Sequence, residues 1–162
     1  MSNLDKIEYY KIVNQILENE EFKRRKEYEH HGSITVYDHS LAVSKLAYKL
    51  AKLTKRDHKV AAIGGLLHDF YYEPWQGNTK SKKLLEKHGF VHAREAMDNA
   101  KVHFPEYMNK RIENAILRHM FPLNKVPPKY IEGWIVTLAD KFVSCEVLFH
   151  PSFFKYLFEF RK

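Results

Sequence analysis

A chain of 162 residues with 44% hydrophobic and 14% aromatic content can bury the core of one ordinary domain and is too apolar to be a disordered segment. Its formal charge of +7 favours small anionic partners such as nucleotides and phosphate esters. The basic residues are scattered, however, and the densest groups, Lys23–Lys26 and Lys80–Lys83, read as solvated faces, which argues against a nucleic-acid partner.

Apolar runs such as Trp134–Ala139 fall far short of the ~20 residues a bilayer span needs, so no membrane partner is expected. Met1–Tyr10 has neither the apolar stretch of a signal peptide nor an Arg-rich transit pattern, and Cys145 is the single cysteine. A cytoplasmic protein is therefore expected, without disulfides and with any metal held by His and carboxylate rather than thiolate. No repeat, low-complexity tract or linker divides the chain, which predicts a single domain over 1–162. The oligomeric state is left open.

Helical periodicity dominates and strand patterns are nearly absent, so the fold class expected is all-α. A polar-faced helix is predicted around Leu4–Leu17 and a charged one around Glu20–Glu29. His39, Val43, Leu46, Leu50 and Leu53 then recur at steps of three and four, the stripe of a buried helix face. Val60, Ile63, Leu67 and Tyr71 define the next helix, with Asp57 as its N-cap and a Tyr72–Lys80 loop after it, where Pro74 and Gly77 break the pattern. Gly89 is expected to separate a helix at Leu84–Leu85 from one carrying His92, Ala96 and Ala100. Pro105 is expected to open a helix with the stripe Ile112, Ala115, Ile116 and His119. Beyond Pro122, Pro127 and Pro128, a long helix from about Tyr130 to Phe149 is apolar on almost every face and should run through the centre, followed by an aromatic helix over Ser152–Phe160.

Ten histidines occur, and position separates them. His39, His68, His92 and His119 lie on or beside apolar stripes of four predicted helices. His30, His58, His103 and His150 fall near helix ends or connections. A buried histidine satisfied by a hydrogen bond explains any one of the first four; the set of four does not reduce so easily. Two carboxylates sharpen the point, because burying an ionised carboxylate costs several kcal/mol without compensating charge. Asp140 sits among apolar neighbours in Thr137-Leu-Ala-Asp-Lys141, and Asp69 sits where a helix C-terminus disfavours negative charge. A dication resolves both; pairing with Lys141 or Arg118 is the alternative.

His39 in Val36-Tyr-Asp-His-Ser40, the pair His68-Asp69 after Gly65-Leu-Leu, and Asp140 together resemble the HD superfamily of metal-dependent phosphohydrolases, from Tyr37 to about Glu146. With His92 and His119 between the pair and the last Asp, the set is similar to the six-ligand dinuclear branch. The resemblance implies a compact helical domain with the metal site between central helices. It implies one metal on His39, His68, Asp69 and Asp140, and a second on His92 and His119, bridged by Asp69. Two divalent or mixed-valence transition metal ions, Fe or Mn, suit these donors. His88 rivals His92 for its place in His88-Gly-Phe-Val-His92.

The activity implied is hydrolysis of a small phosphate ester or anhydride, a nucleotide by preference, through a hydroxide bridging the metals. Asp69, His31 and Lys141 are the residues assigned to catalysis, with His31 as proton donor or outer-shell group, although helix capping or solvent exposure explains His31 equally well. Arg94, Arg118, Lys141 and Trp75 are candidates to bind substrate, and Tyr71, Tyr72 and Phe90 could stack on a base, although core packing explains these aromatics equally well. The chain departs from many HD phosphohydrolases, in which a Lys follows the His-Asp pair by a few residues; here the run is His68-Asp-Phe-Tyr-Tyr-Glu-Pro-Trp75. A di-iron oxygenase similar to myo-inositol oxygenase would use the same six ligands. A nonenzymatic module binding a nucleotide or partner around structural metal is the third reading.

Overall fold

A computed structural model describes residues 2–31, 34–72 and 82–149, without the side chains of 29–31, 82–90 and 146–149. Trp75, His150, the loop after Tyr72 and the expected helix over Ser152–Phe160 lie outside the described residues. Among the described residues seven α-helices carry the fold: α1 (Asn3–Glu18), α2 (Glu20–Lys23), α3 (Val36–Leu53), α4 (His58–Leu67), α5 (Lys82–His103), α6 (Lys110–Arg118) and α7 (Ile131–Phe149). The all-α expectation holds, with one small addition. Strands β1 (Glu29–His31) and β2 (Ile34–Thr35) pair antiparallel just before α3.

Local sequence sets most helix starts. Ser2 and Asp5 form a capping box on α1, Thr35 caps α3, Asp57 accepts from the Val60 amide at the start of α4, and Asn109 accepts from Arg111 and Ile112 at the start of α6. Four expectations are corrected. The charged helix over Glu20–Glu29 is instead the single turn α2, a 3-10 turn over Arg24–Glu27, and β1. Gly89 does not divide a helix, since α5 runs unbroken through it. Pro105 opens only a 3-10 turn, and α6 begins five residues later at its Asn109 cap. Leu53 is 80% exposed, because the buried face of α3 continues through Val43, Ala47 and Ala51 instead.

The core has two parts. Tyr9, Val13 and Ile16 of α1 pack with Ile63, Leu66, Phe70, Ile112 and Ile116, while the small faces of α3, α4, α6 and α7 meet through Val43, Ala47, Ala61, Ala115, Val136 and Ala139. Close approach is built in. A Cβ at Gly65 would stand 3.0 Å from the Ser44 Cα, so only glycine lets α4 lie this near α3. α7 packs on α3, α4 and α6, yet it does not run fully enclosed: Leu138 and Phe142 are more than half exposed. Among the described residues no helix is long and apolar enough to cross a membrane.

Candidate metal centre

Five helices converge on one cluster, two of them at their C-terminal ends. α3 presents His39 from its first turn, α4 ends at Leu67 so that His68 is its C-cap and Asp69 stands in the turn beyond, and α5, α6 and α7 present His92, His119 and Asp140. His39, His68, Asp69 and His119 are buried, and the Asp140 side chain is 13% exposed. His119 is likewise the C-cap of its helix. Two histidines thus occupy the same local position on two neighbouring helices.

That repetition fixes their chemistry. His68 Nδ1 donates to the Gly65 carbonyl at 2.8 Å and His119 Nδ1 donates to the Ile116 carbonyl at 2.7 Å, three residues back in each case. With the proton of the neutral ring committed to Nδ1, each Nε2 lone pair points into the cluster, the arrangement of a metal-ligating imidazole held by an outer hydrogen bond. His68 Nε2 is buried and makes no hydrogen bond.

Asp69 lies between two pairs of imidazoles. Its Oδ2 is 3.5 Å from His68 Nε2 and 3.8 Å from His39 Nε2, while its Oδ1 is 3.5 Å from both His92 Nε2 and His119 Nε2. On the first side Asp140 Oδ1 is 3.1 Å from His39 Nε2 and 3.6 Å from His68 Nε2. On the second, the two ring nitrogens of His92 and His119 approach to 3.3 Å. Among the described residues two groups could each hold an ion: His39, His68 and Asp140, and His68, Asp69 and His119. The donor set fits cations: imidazole nitrogens and carboxylate oxygens face one another around a common centre.

The electrostatics of the cation-free chain agree. Burial works against a charged His68, but Asp69 and Asp140 outweigh it and push its pKa up to about 9. Burial would raise the Asp140 carboxyl, yet His39 and His68 hold it well below the usual carboxylate range. Burial, reinforced by the charge on His68, drives His119 down to about 3. The first half therefore carries a proton that a cation would displace, and His119 stays neutral.

Of the other residues singled out in the sequence, Lys141 lies beside the cluster, its ammonium donating to the His119 carbonyl at 3.3 Å. Among the described residues neither Arg94 nor Arg118 makes a hydrogen bond or ion pair with the six side chains; Arg94 is exposed on α5 and Arg118 half-buried on α6. His31 lies on β1, and its side chain, like those of His88 and Phe90, is outside the described residues. Tyr71 is buried with its ring edge-on to His92 at 5.9 Å. The basic run Lys23–Lys26 is not wholly a solvated face: Arg25 is 1% exposed, its guanidinium over the rings of Tyr28, Phe70 and Tyr72. Glu95, Asn99 and His103, all bonded to the segment after Asp69, were not singled out; their spacing on one helix face was the available signal.

A helical domain whose central helices bring His, His-Asp and Asp together in this order defines a class of His/carboxylate sites suited to cations. The chain belongs to the HD domain family, whose profile matches residues 36–144. No curated protein matches the chain. Among solved structures, the HD domain of the L. monocytogenes phosphodiesterase PgpH is similar at 17% identity, over 86% of this chain and 73% of that one, with a TM-score of 0.48.

Proposed function

We propose that the chain is a single HD domain over 1–162 that acts as a metal-dependent phosphohydrolase on a small phosphate ester or anhydride, a nucleotide by preference, in the cytoplasm. The observation that carries this reading is Asp69, whose two carboxylate oxygens each face a separate pair of imidazole nitrogens at 3.5–3.8 Å. One carboxylate placed this way would be shared by two cations, and such a pair would supply two-metal phosphoryl chemistry. In this reading His39, His68, Asp69 and Asp140 hold one ion, and Asp69, His92 and His119 the other, with Fe or Mn the metals that suit the donors.

Bound there, dications supply a nucleophile at neutral pH and neutralise charge that builds on the phosphoryl oxygens. The chain's own groups do the rest. The carbonyls of Gly65 and Ile116 keep His68 and His119 in the one tautomer that offers Nε2 inward. Lys141 brings a positive charge to the end of α6 and is our candidate to hold a nonbridging phosphate oxygen. His31 is the candidate proton donor to the leaving group. Arg94, Arg118 and Trp75 are candidates for the remainder of the substrate. The net charge of +7 favours an anionic substrate over a neutral polyol.

The test is a screen of Mn- and Fe-reconstituted protein against phosphomonoesters and linear and cyclic nucleotides. The expected outcome is metal-dependent phosphate or nucleotide release that falls at least ~100-fold in Asp69→Asn, the change of two or more decades that follows loss of a metal-centred nucleophile. Metal-loaded protein that is inert on every phosphate ester, yet consumes dioxygen with a polyol, would overturn it.

A further inference from the structure

α5 grips the segment that leaves the His68-Asp69 pair through three side chains at four-residue spacing. Glu95 Oε1 accepts from the Tyr72 amide at 3.0 Å, Asn99 Nδ2 donates to the Phe70 carbonyl at 3.0 Å, and His103 Nε2 is hydrogen-bonded to the Tyr72 hydroxyl. Positions 95, 99 and 103 follow one another along a single helix face, and His92 precedes them by three residues on the same face. The helix carrying His92 is thus pinned in register to the segment carrying Asp69.

The gripped segment is backed from its other side. The Arg25 guanidinium lies 4.6 Å from the centre of the Phe70 ring and 4.9 Å from that of Tyr72. Phe70 also packs on Phe22 and Phe104. With that backing, a slide of α5 by one residue, about 1.5 Å along its axis, would break all three bonds. It would also carry His92 Nε2 away from Asp69 Oδ1, now 3.5 Å distant. His39, His68 and Asp140 stand on α3, α4 and α7, which pack on one another directly, so the first half of the centre has three ligands held without this grip and shares only Asp69 with the gripped segment.

We propose that Glu95, Asn99 and His103 are positioning residues that hold His92 against Asp69, and that they govern the occupancy of the His92–Asp69–His119 half alone. The proposal rests on the two-cation reading for its effect on metal binding, but not for its effect on the position of the His92 ring. None of the three acts on substrate. Their role is exerted through the register of α5.

The experiment compares wild type, Asn99→Leu and Glu95→Ala, with Ser2→Ala as a control that removes an exposed cap bond at the start of α1. Two readings are taken: Mn2+ titration of the cation-free chain, and ring NMR signals of the histidines in that same cation-free chain. The expected result is a second Mn2+ weakened by roughly 10–100-fold, the loss typical of an outer-shell change, with the first ion unchanged. The His92 ring signals shift in Asn99→Leu while those of His39 do not, and Ser2→Ala alters neither reading. An unmoved His92 signal overturns the proposal, as does equal weakening of both ions. A wild type that takes one ion only, with His92 still displaced in Asn99→Leu, supports the positioning role and overturns the two-cation reading instead.

Discussion

His68 is held between burial, which opposes charge on its ring, and the carboxylates of Asp69 and Asp140, which favour it. The pair His68-Asp69 was legible because a histidine and a carboxylate fall together at the end of an apolar helix stripe, with four more donors in order along the chain. Its backbone partner was not legible, since the bond to Gly65 follows from the helix ending at Leu67. Burial opposes charge on His68, and Asp69 and Asp140 raise its pKa to about 9 despite it. The ring is therefore protonated in the cation-free chain below that value, and a cation must displace the proton to reach Nε2. Mn2+ affinity at the first half is predicted to fall as pH drops below about 9, by roughly tenfold per unit for a single displaced proton. Calorimetry at several pH values checks this; a flat profile from pH 8.5 to 6.5 would contradict it. Arg25 is the opposite case. Read as part of a basic run, it would be solvated; the flanking aromatics Tyr28, Phe70 and Tyr72 come together around it only after the chain has folded.

Among the elements, the helices with strong caps and long stripes were legible and the irregular ones were not. Asp57 marks the start of α4 in both sequence and structure, because its side chain meets a free amide there. The stretch Glu20–Glu29 misled because its charged, helix-favouring residues satisfy local propensity, whereas the chain must turn there to place β1 and deliver Thr35 to the start of α3. Gly89 misled for a related reason. A glycine costs a helix interior only about 1 kcal/mol, an amount that flanking helical residues absorb. Gly65 carries a sharper consequence. Its missing side chain brings α4 against Ser44 of α3, with a built Cβ meeting backbone atoms at 3.0 and 3.2 Å. Gly65→Ala is predicted to cost about 1–3 kcal/mol, the range for overpacking a close contact. Denaturant melts of the cation-free variant measure it, and a melt superimposable on wild type would show that the two helices separate without strain.

At the scale of the whole molecule, five helices bring six side chains to one place, and Asp69 is the residue both halves share. The sequence offered the six donors in order as an expectation; the division of Asp69 into two faces could be read only from the packing of α5 and α6 against the end of α4. Cations that bind only the folded chain stabilise it by mass action, ~2.7 kcal/mol at a hundredfold excess over the dissociation constant, so metal and fold are coupled. The most direct measurement is the metal content of the chain purified without chelator, set beside Asp69→Asn and Asp140→Asn. Two ions per chain in wild type, one in Asp140→Asn and none in Asp69→Asn would bear out a centre shared through Asp69. One ion in wild type that survives Asp69→Asn would contradict it.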